Sequence, residues 1–285
     1  MFYKYHKEIN AFSNQTIRQL GKELKVNKVG HTGILDPLAS GLMIIATDYD
    51  TKLLEYIANK NKVYIATSKL HWNSETLDIT GNLTYQENKK VSIEQLKKAI
   101  ELVCSRTTQI PPKYSAKKIN GQRAYDLARE NKEFSIKEQK IKVLEYELLN
   151  FDYEKQEYII KFNVSEGTYI RTLLYDISLE LNTVSAMSSL KRTGVGNVLL
   201  DDLKEKEYQA ISLNDLFDVE MYFINKEQAK IIMNGQSIKI KTKNELVFLL
   251  NPITKEVCCV GIVKDNIFYP KKVFNERLVW NNLKI

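Results

Sequence analysis

The twelve residues HTGILDPLASGL, at positions 31–42, contain the feature on which the interpretation of this chain depends. They place one carboxylate, Asp36, directly before a proline, with glycines at positions 33 and 41. Pro37 restricts its own φ and biases Asp36 away from helical geometry, while glycine permits close backbone approaches. The stretch therefore predicts a rigid, tightly packed loop that presents a carboxylate.

Asp36 has two interpretations on these residues alone. Most aspartates in Asp-Pro pairs accept backbone hydrogen bonds in turns, which would make Asp36 structural. Its apolar surroundings favour a functional carboxylate, because a partly buried carboxylate needs a partner. The candidate partner is Arg171, in SEGTYIRTLL at 165–174, where a strand is expected to give way to a helix. Arginine grips a carboxylate with two hydrogen bonds and would hold Asp36 ionised in one pose; the alternative is a surface arginine at a helix start.

Length and composition indicate a globular protein: the chain has 285 residues, 44% hydrophobic and 27% charged. It is long enough for one larger and one smaller domain. No apolar run approaches the ~18 residues of a membrane span, and the N-terminus lacks the apolar core of a signal peptide. Cys104, Cys258 and Cys259 have no metal-ligand spacing. We therefore expect reduced thiols in a soluble cytoplasmic protein without structural zinc.

The net charge of +7 is concentrated near the end of the chain. Residues 221–285 contain eleven Lys or Arg and five Asp or Glu, whereas residues 1–220 have a net charge of only +1. A basic tail favours a polyanionic partner, most simply nucleic acid. The alternative is a lysine-rich, AT-biased composition without functional meaning.

Periodicity predicts an α+β fold with a mixed or antiparallel sheet, because strands alternate with helices and hairpins are present. Ser92 and Gln95 form a capping-box pattern at the start of one helix. The predicted helices cover residues 13–24, 50–58, 92–103, 124–131 and 168–181, and the predicted strands cover residues 62–70, 141–151 and 158–165.

The last 65 residues predict a small, mostly β domain. Its helix is expected over residues 226–234, between an Asn225 cap and Gly235. Its strands are expected over residues 237–240, 245–250, 257–263 and 267–269.

Two further segments have residues suited to RNA. Tyr64, near the start of the strand at 62–70, is either a core aromatic or a platform on which a base stacks. Residues 110–125, IPPKYSAKKINGQRAY, interleave basic and aromatic side chains. This pattern suits single-stranded or looped RNA, although solvated loops share it.

The chain resembles the TruB family of tRNA pseudouridine synthases in several motifs that follow the family's order. HTGILDPLASGL matches the catalytic motif, and further matches are KVY at 62–64, QIPPKYSAKKINGQRAYDLAR at 109–129, EGTYIRTL at 166–173 and LKRTGVG at 190–196. The tail, with NGQSI at 234–238 and VGIVKDNIFYPKKVF at 260–274, is similar to a PUA-type RNA-binding domain. The resemblance implies a pseudouridine synthase fold over residues 1–218, whose mixed, mainly antiparallel sheet is flanked by helices, and a PUA-like domain over residues 219–285.

The resemblance implies catalytic roles for Asp36, Tyr64 and Arg171. Asp36 matches the family's essential aspartate, and Arg171 matches the arginine that pairs with it. Tyr64 matches the tyrosine that stacks on the flipped uracil and assists removal of the C5 proton. The reaction breaks the N1–C1′ bond of a uridine and rejoins the uracil through C5. Asp36 would act as a nucleophile at C1′ or as a base on the 2′ proton.

It also implies five substrate-binding residues. Leu190 matches an apolar residue of the uracil pocket, and Tyr169 in EGTYIRTL is expected to contact the substrate. His31 matches a histidine that occupies the space left by the flipped nucleotide, or else caps a turn. Lys191 and Arg192 are expected to contact phosphate, or else to form a solvated helix end.

Two departures from the family pattern concern the surroundings of Asp36. KYHKEIN at 4–10 stands where the family has a Lys-Pro-x-Gly-x-Thr-Ser segment, and Ile34 stands where threonine is common. Neither change affects the catalytic residues, so we expect an active enzyme.

The resemblance thus implies a stand-alone, monomeric enzyme that converts uridine 55 in the T loop of tRNA. It implies no metal, organic cofactor, membrane or obligate protein partner. One alternative is a guide-RNA-dependent catalytic subunit, against which the compact tail argues. The other is a tRNA-binding folding chaperone with little chemistry, against which the complete set of Asp36, Tyr64 and Arg171 argues.

Overall fold

A computed structural model of the protein describes residues 1–130 and 132–279. The strands, in chain order, are β1 (Phe2–Lys7), β2 (Val29–His31), β3 (Ala39–Thr47), β4 (Lys62–Leu70), β5 (Trp72–Asn73), β6 (Thr84–Tyr85), β7 (Thr108–Gln109), β8 (Lys118–Ile119), β9 (Gln122–Arg123), β10 (Gln139–Lys140), β11 (Val143–Asp152), β12 (Glu157–Val164), β13 (Ser185–Val195), β14 (Val198–Leu199), β15 (Tyr208–Ile211), β16 (Glu220–Phe223), β17 (Ile238–Lys239), β18 (Leu246–Leu250), β19 (Val257–Lys264) and β20 (Ile267–Val273). The α-helices are α1 (Ser13–Glu23), α2 (Ile93–Cys104), α3 (Ala124–Arg129), α4 (Ile170–Glu180), α5 (Leu213–Leu216), α6 (Lys226–Met233) and α7 (Asn275–Leu278).

A large mixed sheet forms the centre of the molecule, with its strands in the order β11-β12-β4-β13-β3-β1-β15. Strand β14 also pairs with β13, and β2 pairs with β3. The pairing of β13 with β3 is parallel, whereas the other pairings in this sheet are antiparallel. The predicted α+β class with a mixed, mainly antiparallel sheet is confirmed.

Strand β3 is buried on both faces, because each face of the sheet is covered. Met43 and Ile45 pack in a core with α1, α2 and α4. Leu42 and Ile44 pack on the opposite face, in a core that includes Phe248 of the C-terminal strands. Strands covered on both faces read as continuous apolar runs, which explains the sequence of this segment.

Several local predictions are confirmed. Strand β4 has the predicted bounds, and β11 with β12 forms the predicted hairpin. The capping box of α2 is present, since the Gln95 N–H donates to Ser92 Oγ (3.3 Å) and the Ser92 N–H donates to Gln95 Oε1 (2.8 Å).

The helix predicted over residues 50–58 is wrong. The structure has two short 3₁₀ turns there, at Asp48–Lys52 and Leu54–Tyr56. An isolated helix this short is not stable in water, so tertiary contacts decide its geometry. Leu53 and Ile57 are drawn into the core shared with the C-terminal strands.

A second, smaller sheet contains only strands from Glu220 onward, in the order β16-β18-β19-β20-β17. Helix α6 begins as predicted, with the Gln228 N–H donating to Asn225 Oδ1 (2.9 Å). Gly235 follows that helix at a φ of 71°, a conformation that favours glycine. The mostly β C-terminal domain is thus confirmed, while the boundary at residue 218 and the PUA-like assignment stay predictions.

The two sheets share a hydrophobic core. Phe2 and Ile44 of the large sheet pack in one cluster with Phe248 and Phe274 of the C-terminal domain. No helix within the described residues is long and apolar enough to cross a membrane.

Candidate active site

Asp36 lies in the loop between β2 and β3, and its side chain is 40% exposed. Leu35 and Leu38 flank it and are buried. The Ala39 N–H donates to the Asp36 carbonyl oxygen (3.0 Å), so the Asp-Pro pair forms a turn that leads into β3. The loop is therefore anchored by its apolar side chains, while the carboxylate remains accessible.

Two polar side chains from neighbouring elements hold this loop. Ser13 Oγ at the start of α1 donates to the Leu35 carbonyl oxygen (2.7 Å) and accepts from the Leu35 N–H (3.0 Å). The fully buried Lys7 Nζ donates to the Ala39 carbonyl oxygen (2.6 Å). Burial lowers the pKa of Lys7 to about 8.

The divergent segment KYHKEIN at 4–10 packs directly against this loop. Its first part lies in β1, which pairs with β3. The Asn10 N–H donates to the Pro37 carbonyl oxygen (2.7 Å), and Asn10 has a φ of 63°. The segment thus supports the loop without the proline and glycine of the family pattern.

Arg171, the second residue of α4, pairs with Asp36 as predicted, but through one N–O contact rather than two hydrogen bonds. Its Nη2 lies 3.0 Å from Asp36 Oδ2 and donates to the Tyr114 carbonyl oxygen (2.9 Å). Its Nη1 donates to the Thr76 carbonyl oxygen (2.7 Å) and lies 3.5 Å from Asp78 Oδ2. The guanidinium is therefore held on several sides and fixes the direction from which it meets Asp36.

Asp78 is a site residue that the sequence reasoning missed. It is buried, with one oxygen facing Arg171 and the other accepting from Thr76 Oγ1 (2.7 Å) and the Thr80 N–H (3.0 Å). An aspartate two residues before a threonine is typical of an Asx turn. That local signal predicts the turn but contains no information about Arg171.

Asp36 and Arg171 face a cleft of about 430 Å³ that Tyr64, Tyr169 and Leu190 also line. Tyr64 on β4 and Leu190 on β13 are 7% and 8% exposed, and the strands that bear them are paired. The structure therefore brings the three predicted catalytic residues together with two of the predicted substrate-binding residues.

Tyr169 is placed by a pair of hydrogen bonds to a buried glutamine. Its N–H donates to Gln109 Oε1 (2.9 Å), and Gln109 Nε2 donates to its carbonyl oxygen (3.0 Å). Burial, together with the nearby charge of Asp36, raises the pKa of Tyr169. Its hydroxyl is thus kept protonated, as a neutral polar group of the cleft.

His31 ends β2 at the entrance to the loop and is partly buried. Its Nδ1 accepts from the Gly33 N–H (3.1 Å), which is the turn cap considered from the sequence. Burial and the charge of Arg192 lower the pKa of His31. The ring is therefore neutral at pH 7, and its role toward a substrate stays a prediction.

Lys191 and Arg192 lie in the middle of strand β13, so the alternative of a solvated helix end is wrong. Lys191 is exposed and lines a separate groove with Lys161, away from the cleft. Arg192 is fully buried; its Nε donates to the Leu42 carbonyl oxygen (2.6 Å) and its Nη2 to that of Gly33 (3.2 Å). A solvent-facing phosphate contact does not fit this burial.

Lys62 lines the cleft, although no function was predicted for it. It is buried, and burial together with the charge of Arg192 lowers its pKa to about 8. The strand period of two, which places it on the same face as Tyr64, is the signal that identifies it.

Within residues 1–130 and 132–279, no group of three or more His, Cys, Asp or Glu side chains is arranged to hold a metal ion. The expectation that the site needs neither a metal nor an organic cofactor stays a prediction.

Comparison with known proteins shows similarity along nearly the whole chain. The family model described as "TruB family pseudouridylate synthase (N terminal domain)" matches residues 21–170. The tRNA pseudouridine synthase B of Mycoplasma mobile is 36% identical over 279 residues, which cover 98% of this chain and 96% of that protein. The protein of the same name from Mycoplasmopsis pulmonis is 35% identical over 278 residues, again covering 98% and 96%.

Among solved structures, this fold is similar to that in a Cbf5-Nop10-Gar1 complex. The superposition has a TM-score of 0.65 at 20% identity and covers 97% of this chain and 86% of the other. At that identity the similarity concerns the fold alone, with its mixed central sheet and mostly β C-terminal domain.

Proposed function

This chain belongs to the TruB family of pseudouridylate synthases, and from that premise we propose that it converts uridine 55 in the T loop of tRNA to pseudouridine. Its full-length relatives are tRNA pseudouridine synthases B, so the reaction is an isomerisation of uridine in tRNA. The position in the tRNA and the steps of the reaction are the parts that we propose.

The observation that supports the proposal most strongly is the contact between Arg171 and Asp36, at 3.0 Å within the cleft. One oxygen of the carboxylate is occupied by the guanidinium, and the side chain remains 40% exposed. A carboxylate held in this way is positioned to react with a bound nucleoside rather than to stabilise the fold alone.

In the proposed reaction the N1–C1′ and C5–H bonds of uridine break, while C5–C1′ and N1–H bonds form. Asp36 either attacks C1′ and is later displaced from it, or removes the 2′ proton and later returns it. Between these steps the freed uracil turns so that C5 faces C1′. The C5 proton is then removed with help from Tyr64, and N1 is protonated.

Tyr64 and Leu190 are placed to hold the uracil in this reaction. An aromatic ring and an aliphatic side chain, both nearly buried in the cleft floor, offer apolar surfaces for a base. A base in a folded tRNA loop must leave its stack to reach them. His31 at the loop entrance is the residue that we expect to occupy the space it leaves.

We expect purified protein to form pseudouridine in an isolated T-arm stem-loop RNA over many turnovers, without added RNA or protein. Asp36→Asn keeps the side-chain size but removes the nucleophilic charge. We expect it to lower turnover by roughly 10³-fold or more while the Kd for the RNA changes less than about threefold. Asp152→Asn, at the partly exposed end of β11, is the matched control and should behave like the wild type.

Three outcomes contradict parts of this proposal. If product forms only when a guide RNA or partner protein is added, the enzyme is not a stand-alone synthase. If the wild type binds the RNA without converting it, the chaperone alternative is correct. If Asp36→Asn turns over normally, the catalytic assignment of Asp36 is wrong.

We further propose that the enzyme acts in the cytoplasm as a monomer. Cys104, Cys258 and Cys259 are unpaired and buried, which suits a reducing compartment. Light scattering during gel filtration, with and without the RNA, measures the oligomeric state.

A further inference from the structure

Two buried cations lie next to each other in the floor of the cleft. Lys62 is 7% exposed and Arg192 is not exposed at all. Neither forms an ion pair within the described part of the chain, in contrast to Arg171 with Asp36 and Asp78. Two buried charges of the same sign without a counter-charge are costly, so the free protein lacks a group that would stabilise them.

Arg192 has one nitrogen without a partner. Its Nε and Nη2 bind the carbonyl oxygens of Leu42 and Gly33, but its buried Nη1 has no hydrogen-bond partner among residues 1–130 and 132–279. Buried donors are nearly always satisfied in native proteins. The unsatisfied guanidinium nitrogen therefore leaves the positive charge of Arg192 uncompensated beside the cleft.

Gly33 lies next to both cationic side chains. As a glycine, it has no side chain that would fill the space beside them. A methyl group at this residue would lie 3.4 Å from Lys62 Cε and 3.7 Å from Arg192 Nη1. These distances show that the lysine and the arginine converge on one point of the loop. The glycine of the catalytic motif thus leaves room for a ligand at that point.

Lys62 is the member of the pair that can reach a ligand. Its ammonium donates to the Lys60 carbonyl oxygen (3.2 Å) and has two further N–H donors. Burial lowers the pKa of Lys62 most, Arg192 and Lys60 lower it further, and Glu166, an exposed residue of the cleft wall, opposes them. A bound anion would raise this pKa.

We propose that Lys62, supported from below by Arg192, binds a backbone phosphate adjacent to the target uridine. The proposal rests on the proposed function, because it takes the tRNA as the ligand. Lys62 lies two residues before Tyr64 on one face of β4, a separation of about 7 Å, and Leu190 lies beyond Tyr64 in the other direction. If the uracil occupies the space between Tyr64 and Leu190, its sugar-phosphate side can extend toward Lys62.

The test is a double-mutant cycle between the lysine and the phosphate. T-arm stem-loop RNAs have one neutral methylphosphonate linkage, either 5′ or 3′ to the target uridine. A deoxyribose precedes this linkage, and an RNA with the same deoxyribose and a normal phosphate is the reference. The proteins are wild type, Lys62→Met, Lys62→Arg and the control Lys69→Met, which removes an exposed lysine from the opposite face of the same strand.

We expect one of the two neutral linkages to weaken wild-type binding by roughly ten- to hundredfold. Lys62→Met should weaken binding of the reference RNA by a similar factor and be insensitive to that linkage. Its salt dependence should fall by about one released ion. Lys62→Arg should retain most of the affinity, and Lys69→Met should match the wild type.

The proposal would be overturned if the losses of affinity from Lys62→Met and from the neutral linkage were additive. It would also be overturned if Lys62→Met bound the reference RNA as tightly as the wild type does. A loss of kcat in Lys62→Met at unchanged Kd would instead assign the lysine to the uracil. If Lys62→Met does not fold, the test rests on the wild-type protein alone. Equal wild-type affinity for the reference RNA and for both RNAs with a neutral linkage then refutes the proposal. Because binding is measured without turnover, these results are independent of whether the wild type forms pseudouridine.

Discussion

At the scale of single residues, the chemistry depends on how Arg171 is held. The guanidinium contacts two carboxylates and two backbone carbonyl oxygens, so its orientation is set before Asp36 is considered. Asp78 is nearly fully buried and does not line the cleft. We infer that it is a positioning residue, which would act on a substrate only through Arg171 and Asp36.

Asp78→Asn should reduce catalysis more than binding. The amide keeps the shape but loses the charge that attracts Arg171 Nη1, so the arginine can shift away from Asp36. Small displacements of catalytic groups cost up to about 10²-fold in rate, and we expect a loss of kcat of this order with KM within about threefold. Rapid-quench single-turnover rates measure it.

The matched control for Asp78→Asn is Asp152→Asn. A purely structural role of Asp78 would lower the melting temperature and leave the single-turnover rate of the folded fraction unchanged. That result would contradict the role proposed for Asp78.

At the scale of secondary-structure elements, the site forms where the start of α4 meets the loop before β3. Helix α4 has no side-chain cap at Tyr169, the residue that precedes it. Gln109 on β7 anchors the start of the helix instead, because both of its amide atoms bind the Tyr169 backbone. A short strand far from Asp36 in sequence thus sets the position of Arg171.

Gln109→Met should therefore reduce both stability and kcat. The Tyr169 N–H loses its partner, at a cost of about 1–3 kcal/mol, whereas the Tyr169 carbonyl oxygen keeps only the bond from the Leu173 N–H (3.2 Å). The start of α4 is then free to move, and we expect kcat to fall roughly tenfold. Urea denaturation and single-turnover rates are the measurements.

Gln95→Met separates these two effects. It removes a capping hydrogen bond from α2, which should lower stability by about 1 kcal/mol without changing kcat. If Gln109→Met shows the same pattern as Gln95→Met, then Gln109 does not position Arg171.

At the scale of the whole molecule, the C-terminal domain is part of the support of the large sheet. Phe248 and Phe274 pack with Phe2 and Ile44 in one core. Deletion of residues 219–285 would expose this face, so a loss of RNA affinity in such a truncation would not isolate an RNA-binding role. Point substitutions on the intact chain are the suitable test of the basic tail.

The ion pair of Asp50 with Arg277 links the two domains, with N–O distances of 2.7 and 3.1 Å. Burial raises the pKa of Asp50, but its bonds to Arg277 and to the N-terminal ammonium of Met1 outweigh burial and leave the pKa below the ordinary value of 3.8. The stabilisation is therefore complete above about pH 4 and is lost as the pH falls through the folded-state pKa.

Arg277→Met leaves the buried Asp50 with only the N-terminal ammonium of Met1 as a counter-charge and should cost up to about 3–5 kcal/mol at pH 7. Because Asp50 is protonated more readily in this variant, the difference in the free energy of unfolding between the variant and the wild type should narrow below pH 4. Denaturant titrations at pH 7 and pH 3.5 measure this difference and its change with pH.

The control is Lys272→Met, which breaks the exposed pair with Glu55 and should cost at most about 1 kcal/mol. If the difference in the free energy of unfolding between Arg277→Met and the wild type is the same at both pH values, the titration of Asp50 does not contribute to stability as expected.

Local patterns predicted much of this protein correctly. The strand pattern predicted both ends of β4 correctly, and Ser92 and Asn225 identified the starts of two helices. Such signals act over only a few residues, so they can be recognised in the sequence. The pairing of Asp36 with Arg171 was also predicted, since an arginine is the natural partner of a fixed carboxylate. Asp78 and Gln109 were missed because the local sequence around them contains no sign of their partners, Arg171 and Tyr169.

The sequence by itself determined the class of fold, the strand of Tyr64, the helix of Arg171 and the choice of Asp36, Tyr64 and Arg171 as candidate catalytic residues. The tertiary structure alone decided that Lys191 faces away from the cleft while Arg192 is buried beneath it. It also explains the second glycine of the opening stretch, since a Cβ at Gly41 would lie 2.2 Å from the Arg192 carbonyl oxygen. The physical reason is strand order: the parallel contact of β13 with β3 joins segments about 150 residues apart, and no local pattern specifies which strand will be the neighbour.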